Sequence, residues 1–134
     1  MEKERWDKWQ PKIEFPNKIW FESLFQDRSG LKIQFESEDN RKVIVIFEHS
    51  VLSYRVTDEG DLLQTISFWS SEYGNDFFSW PLYKSSNSSF INWFNEESCG
   101  KFEEEHIEHY VFITPNEIID VLSAIPPQLI INNQ

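Results

Sequence analysis

The sequence predicts an α+β fold with one mainly antiparallel sheet of about five to six strands and two short amphipathic helices. Leu31, Ile33 and Phe35 alternate with polar residues, which is the period of a strand with one buried face and one wet face. The run 43–47 (VIVIF) is apolar throughout, which indicates a strand in the middle of a sheet with cover on both faces. Between 61 and 71 the apolar period changes to that of an amphipathic helix.

The length of 134 residues predicts a single domain over 1–134, with an N-terminal arm at 1–16 and a loosely held tail at 128–134. Cys99 is the single cysteine, so no internal disulfide forms. The first ten residues lack an apolar signal region, and no run approaches the roughly 18 apolar residues of a membrane span. We therefore expect a soluble protein of a reducing, cytoplasmic compartment.

The net charge of −11 is distributed unevenly along the chain. Residues 1–55 hold ten acidic and ten basic residues, whereas residues 56–134 hold thirteen acidic residues against Lys84 and Lys101. A strongly anionic half repels nucleic acid and attracts cationic partners. The alternative is that the acidity only keeps the protein soluble.

Two features are predicted before the first strongly alternating strand. Trp6 and Trp9 lie three residues apart, a spacing at which both can share one face of a short helical turn. Residues 18–26 favour a strand, joined to the next by a hairpin connection over 27–30, because Asp suits the start of a turn and Gly its end. A helix over 18–26 is the alternative. A third strand at 51–56 is expected to complete a meander.

The first helix is predicted from 61 to 71. Leu62, Ile66 and Trp69 fall on one face of this helix, and Asp61 is a suitable first-turn acid or cap. Gly74 and the two residues after it are expected to end it.

A short strand and a second helix follow. Residues 77–84 predict the strand, which Pro81 restricts to an edge or a bulge. Ser88 or Ser89 then caps a two-turn helix that ends before Gly100. The aromatic residues expected to face the core from this helix are Phe90, Trp93 and Phe94.

The last part of the chain permits two interpretations. Residues 106–113 alternate as a strand. Residues 114–117 (TPNE) then have the form of a capping box, which favours a helix over 118–125. They also suit a tight turn, after which the β-branched residues of 118–123 form a closing strand. Local chemistry leaves both open.

Few residues have the spacing of a catalytic or metal site. On a strand, His106 and His109 point to opposite faces, and zinc needs three or four converging ligands. Cys99 lies among glutamates, an anionic setting that disfavours the nucleophilic thiolate. The four glycines are too scattered for a phosphate-binding loop. We therefore expect no catalytic residue, no metal, no cofactor and no enzymatic activity.

The polar end of the predicted third strand is the best site candidate. Arg55 can pair with Asp58 or Glu59 and fix the turn, which is a structural role. In the functional interpretation, carboxylates beside exposed aromatic rings bind Arg and Lys of a partner protein. The candidate partner-binding residues are Asp58, Glu59, Asp61, Glu72, Tyr73 and Asp76.

Four short segments carry a resemblance to a known class of proteins. The segments 54–59 (YRVTDE), 89–94 (SFINWF), 109–114 (HYVFIT) and 119–123 (IDVLS) resemble small acidic bacterial immunity proteins encoded beside polymorphic toxins. The resemblance covers most of the chain from about residue 19 and favours a strand over 118–123. It implies a protein that binds and blocks a toxin domain, and it implies no catalytic residue.

The charge distribution and the resemblance favour the same function. We expect a non-enzymatic immunity (antitoxin) protein whose acidic half contacts a basic toxin domain such as a nuclease. It is expected to be a monomer or a weak homodimer that binds neither nucleic acid nor membrane. The alternatives are a small-ligand module with an aromatic-lined pocket and a metal-dependent enzyme that uses histidines and carboxylates.

Overall fold

Two antiparallel sheets and two helices make up the residues that the structure, a computed structural model, describes, namely 3–49 and 51–132. The predicted α+β class is confirmed, although the strands number nine among these residues and form two sheets. The strands are β1 (Arg5–Lys8), β2 (Ile19–Asp27), β3 (Gly30–Ser37), β4 (Lys42–Glu48), β5 (Val51–Asp58), β6 (Leu82–Ser86), β7 (Glu108–Ile113), β8 (Glu117–Ser123) and β9 (Gln128–Asn132). The helices are α1 (Leu63–Tyr73) and α2 (Ser89–Glu97), and 3₁₀ turns lie at Glu59–Asp61 and Asn75–Ser79.

The two sheets pack face to face around an aromatic core. One sheet has the strand order β1-β6-β7-β8-β5, and the other has the order β2-β3-β4-β9. Phe112 of the five-stranded sheet stacks on Phe35 of the four-stranded sheet, with ring centroids 5.7 Å apart. Leu31 and Ile33 are buried beside Phe35 in the same core. The predicted alternation of β3 is therefore confirmed.

The second face of the five-stranded sheet is covered by helices. Val111 and Ile113 of β7 point away from the four-stranded sheet and pack with Trp69 of α1 and Phe77 of the second 3₁₀ turn. Side chains alternate along a strand, so β7 contributes to a different core on each face. The fold therefore has three layers, which are the four-stranded sheet, the five-stranded sheet and the helices.

The predicted meander is wrong because β5 leaves the sheet of β3 and β4. β5 pairs with β8 at the edge of the five-stranded sheet. The free edge of β4 is instead occupied by residues 128–132, which form β9, with Val43 opposite Ile131. The expectation of a loose tail is therefore wrong for these residues; 133 and 134 lie outside the described residues.

The prediction for β4 is partly right. β4 lies inside its sheet, between β3 and β9. Its inward residues Val43, Val45 and Phe47 are buried, but Ile44 and Ile46 are only half-buried. No helix among the described residues packs on this outer face, so the expected cover on both sides is absent there.

The N-terminal arm contains the strand β1, and the expected helical turn is wrong. β1 pairs with β6, so Trp6 packs with the cluster beneath α1 while Trp9 packs with the core between the sheets. This pairing also removes β6 from the edge position that Pro81 suggested. Pro81 stands just before β6, where its carbonyl accepts the amide hydrogen of Ile113 at 2.8 Å and its missing N–H is not needed.

The first helix is confirmed, but its cap is not. Leu62 occupies the N-cap position without a side-chain hydrogen bond, so Asp61 does not cap α1. Gly74 ends the helix with a φ of 80°, a conformation that suits glycine.

The second helix begins as predicted. Ser88 Oγ accepts the amide hydrogen of Ile91 at 3.1 Å, which is an N-cap bond. Phe90 is buried and Phe94 is half-buried, but Trp93 is 51% exposed. The inward placement predicted for Trp93 is therefore wrong.

Two further predictions concern hairpins. The strand prediction for 18–26 is confirmed as β2, with a two-residue turn in which Asp27 Oδ1 accepts the amide hydrogen of Ser29 at 2.8 Å. The strand interpretation of 118–123 is also right, because these residues form most of β8. Thr114 Oγ1 accepts the amide hydrogen of Glu117 at 2.8 Å, so the apparent capping residue closes a β-turn.

Replacement of Phe112 by alanine tests the shared core of the two sheets. Phe112 is fully buried, whereas Phe25 on the outer side of β2 is 62% exposed. We expect Phe112→Ala to lower the free energy of unfolding by roughly 3–5 kcal/mol and Phe25→Ala by less than about 0.5 kcal/mol. Urea unfolding of both variants measures the difference, and equal losses would contradict the assigned core.

Candidate partner-binding site

The first three predicted partner-binding residues lie together before α1. Asp58 Oδ1 accepts the amide hydrogen of Gly60 at 2.8 Å, which caps the first 3₁₀ turn. Glu59 donates its amide hydrogen to the Asn116 carbonyl at 2.8 Å, so this group lies beside the β7–β8 turn. Asp58 and Asp61 are exposed, and Glu59 is half-buried.

The other three predicted residues lie at the far end of α1. Glu72 and Asp76 are exposed. Tyr73 is half-buried, since its hydroxyl accepts the amide hydrogen of Trp6 at 3.1 Å and its ring stacks on Phe77 at 5.1 Å. At 1.5 Å per residue, the helix separates the two groups by about 16 Å. The six residues therefore form two small groups at the two ends of α1, and Tyr73 has a packing role.

A groove of about 400 Å³ lies beside the first group. It runs between α1, the second 3₁₀ turn and the β7–β8 turn, with Glu59 and Lys18 among the residues that line it. Its apolar residues are Ile66, Phe78, Ile113, Pro115 and Ile118. The groove thus places a carboxylate next to an apolar surface.

Most of the surplus negative charge lies in the two segments that contain the helices. Segments 58–79 and 88–108, which contain both helices and their adjoining turns, hold eleven of the thirteen acidic residues that follow Arg55 and one basic residue, Lys101. Within 3–49 and 51–132, none of these eleven carboxylates pairs with Lys or Arg. The layer therefore presents uncompensated negative charge to solvent.

Four side chains form a hydrogen-bonded row between the five-stranded sheet and α2. We call Ser88, His109, Asp120 and Arg55 the polar row. Ser88 Oγ lies 2.7 Å from His109 Nδ1, and His109 Nε2 lies 2.7 Å from Asp120 Oδ1. Arg55 Nε donates to Asp120 Oδ2 at 3.0 Å. With hydrogen on His109 Nε2, every contact in the row joins a donor to an acceptor.

The strand register explains why the polar row forms. Arg55 of β5 is directly opposite Asp120 of β8, and both face the helical layer. Asp58 is three residues further along β5 and therefore points to the other face. The predicted pairing of Arg55 with Asp58 or Glu59 is wrong for this reason, because the partner is Asp120.

The environment of Asp120 determines its protonation. Burial by itself raises the pKa of this carboxyl. His109 and Arg55 each lower the pKa through a hydrogen bond and a charge. Their combined effect outweighs burial, so the pKa lies below the ordinary value. Asp120 is therefore a carboxylate at neutral pH. Its charge is balanced inside the protein by Arg55.

Ser88, His109 and Asp120 share residue types with a hydrolytic triad, but their surroundings differ from an active site. Ser88 is 3% exposed and His109 is 1% exposed, so a substrate carbonyl has no access to the hydroxyl. Ser88 Oγ also accepts the Ile91 amide hydrogen and thereby caps α2. This geometry fits a positioning role.

The polar row ends at the surface in an aromatic depression. The Arg55 guanidinium lies over the Phe90 ring, with Cζ 4.3 Å from the centroid. Trp93 stacks on the same Phe90 ring at 5.8 Å. These residues, with Ser53, Tyr54 and Ser89, line a depression of about 490 Å³.

His106 and Cys99 lie apart from the polar row. His106 is exposed and its Nε2 lies 2.6 Å from Glu108 Oε1, while His109 is buried, so the two imidazoles do not converge. Cys99 is exposed. In the described part of the chain, no group of three or more His, Cys, Asp or Glu side chains has the arrangement of a metal site.

Comparisons with protein-family models, curated proteins and solved structures find no match. Neither α1 nor α2 is long and apolar enough to cross a membrane, in the part of the chain that the structure covers.

Sequence reasoning missed the polar row and the aromatic depression. One signal was available, since Asp120 interrupts the apolar run 118–122 and a charge inside a buried strand needs a partner. The partner of Asp120 could not be identified from the sequence, because Arg55 and Asp120 are 65 residues apart and meet only through the β5–β8 pairing.

Replacement of Asp120 by asparagine tests the charge in the polar row. At pH 7 we expect a loss of roughly 3 kcal/mol in the free energy of unfolding, because Arg55 and His109 lose a buried partner. Since the folded-state pKa of Asp120 is lowered, its stabilising contribution is present above the ordinary value of 3.8 and is lost as the pH falls through the lower folded-state pKa.

The difference between wild type and Asp120→Asn should therefore shrink below about pH 3.8. Urea unfolding from pH 7 to pH 2.5 measures this difference. Asp61→Asn, at an exposed position, is the control and should follow wild type. A difference that stays constant with pH would contradict the assigned role.

Proposed function

We propose that the chain is a non-enzymatic immunity (antitoxin) protein that binds and neutralises a cognate basic toxin domain. The observation that carries this proposal is the concentration of carboxylates without a described Lys or Arg partner in the segments that contain the helices, since 58–79 and 88–108 hold eleven acidic residues and one lysine. Carboxylates scattered evenly over both outer faces would have spoken against it.

The electrostatics suit a basic protein partner. A field of one sign over one layer raises the rate of encounter with an oppositely charged surface and repels nucleic acid. Toxin domains that cleave nucleic acid need a cationic cleft to bind the phosphate backbone. A layer of carboxylates carries negative charge as that backbone does, so it can bind to the same cleft. A specific complex of this kind buries roughly 1,600 Å².

The rest of the molecule supports a binding role. The polar row is closed to solvent at Ser88 and His109, and the charge of its carboxylate is balanced by Arg55. The proposal includes a cytoplasmic location, in keeping with a chain that has one cysteine. It includes no cofactor.

A second candidate function is favoured by the groove beside Glu59. Its apolar lining and volume of about 400 Å³ suit a small, mostly apolar ligand. If this is the function, a metabolite should raise the melting temperature of wild type, and Ile66→Asp should abolish that rise.

Coexpression with the polypeptide encoded immediately upstream tests the leading proposal. We expect the two proteins to copurify, growth inhibition by the upstream polypeptide to be relieved, and the affinity to fall as salt is raised. No association at low salt would overturn the proposal.

Charge-neutralising variants add a quantitative test. Asp58→Asn, Glu59→Gln and Asp61→Asn combined should lower the association rate constant by on the order of tenfold, because the steering field is weakened. The matched control combines Glu22→Gln, Glu36→Gln and Glu48→Gln in the four-stranded sheet, away from the helical layer. An equal effect of both triple variants would show that only net charge matters.

A further inference from the structure

Trp93 is the largest exposed aromatic side chain on α2. Half of it is open to solvent, although it stacks on Phe90 with ring planes 29° apart. Exposed tryptophan is uncommon outside interfaces, and tryptophan is enriched among the residues that dominate binding energy. Arg55 lies over the same Phe90 ring. We call Arg55, Phe90 and Trp93 the Arg55–Trp93 shelf.

Arg55 is held rigidly at this shelf. Its Nε is bonded to Asp120, which is bonded to His109, and half of the Arg55 side chain remains exposed. Its two terminal nitrogens make no hydrogen bond to any residue of 3–49 or 51–132. A guanidinium fixed in this way loses little conformational entropy when it binds an acceptor.

Stability alone does not account for the polar row. A buried ion pair is often no more stabilising than apolar residues of the same volume. The row does, however, fix the position of one surface guanidinium. An apolar side chain in place of Asp120 could fill the same volume, but it could not hold Arg55 in position for a partner.

The rim of the shelf is acidic. Glu96 and Glu97 follow Trp93 by three and four residues, so they lie next to it on the helix surface. Both are exposed, and in the described ranges neither pairs with Lys or Arg. A Trp and an Arg with two carboxylates beside them have the composition of an interface centre for a cationic partner.

We propose that the Arg55–Trp93 shelf is the centre of the surface that contacts the basic toxin domain, an inference that rests on the proposed function. A Lys or Arg of the partner lies over the Trp93 ring and pairs with Glu96 or Glu97. Arg55, whose charge is balanced by Asp120, donates from its terminal nitrogens to a main-chain carbonyl of the partner. The carboxylates at the ends of α1 then act on the encounter rate.

Alanine at Trp93 tests the proposal in the complex with the upstream-encoded polypeptide. We expect Trp93→Ala to weaken the affinity roughly 30-fold through faster dissociation, as for a residue at the centre of an interface. Leu63→Ala is the matched control, because Leu63 is 74% exposed on α1 and belongs to the same acidic layer; its affinity should change by less than about threefold. Titration calorimetry and dissociation kinetics measure both.

A second variant does not depend on removing a packed ring. Glu96→Gln combined with Glu97→Gln leaves the folded structure intact, since both side chains are exposed, and should weaken the affinity roughly tenfold. Circular dichroism and thermal unfolding confirm that each variant is folded. Arg55→Lys keeps the charge but loses the fixed guanidinium, and it should also weaken the complex.

The outcomes separate the two proposals. A wild-type complex that tolerates Trp93→Ala and the Glu96/Glu97 variant, but is lost when the acidic residues before α1 are neutralised, overturns the shelf and leaves the proposed function standing. The absence of any wild-type complex overturns both.

Discussion

The burial of the five-stranded sheet on both faces is the constraint on which the rest of the structure depends. β7 and β8 place one set of side chains against the four-stranded sheet and the alternate set against the helices. A polar side chain on either face is removed from water and needs a partner. Asp120 meets this requirement with His109 and Arg55, and the second bond of His109 ties α2 to the sheet through Ser88.

The same burial gives the helices their role in the charge distribution. Each helix covers the sheet with one side, so its remaining side chains face solvent. Most of the acidic residues of the second half of the chain lie in the helices and in the segments that adjoin them. Three of the four strands of the other sheet derive from the charge-balanced half, and β9 carries no charged residue, so the molecule has two outer faces of different electrostatic character.

The local elements were predictable because their information is local. The alternation at Leu31–Phe35, the helical period after Asp61 and the Ser88 cap each depend on residues within about ten positions. Strand pairing was not predictable, since β5 joins β8 and β9 joins β4 only through the folded arrangement. The second sheet was missed for that reason.

The sequence indicates less about the surface than about the fold. The acidic character of the second half was readable from the sequence, but the six chosen residues fall at two ends of α1. Trp93 has the helical spacing of a core residue next to Phe90, but it lies beside the edge strand β5 and is exposed there. The contact between Arg55 and Asp120 was not predictable, because the two residues are 65 positions apart in the sequence.

Each sheet includes a strand from the opposite end of the described chain. Arg5–Lys8 pairs beside Tyr83–Ser86, and Gln128–Asn132 pairs beside Lys42–Ile46. Neither sheet reaches its full width until segments about eighty residues apart have met, and loops of that length close slowly. Until these segments meet, the edges of β4 and β6 that β9 and β1 cover are open to intermolecular pairing.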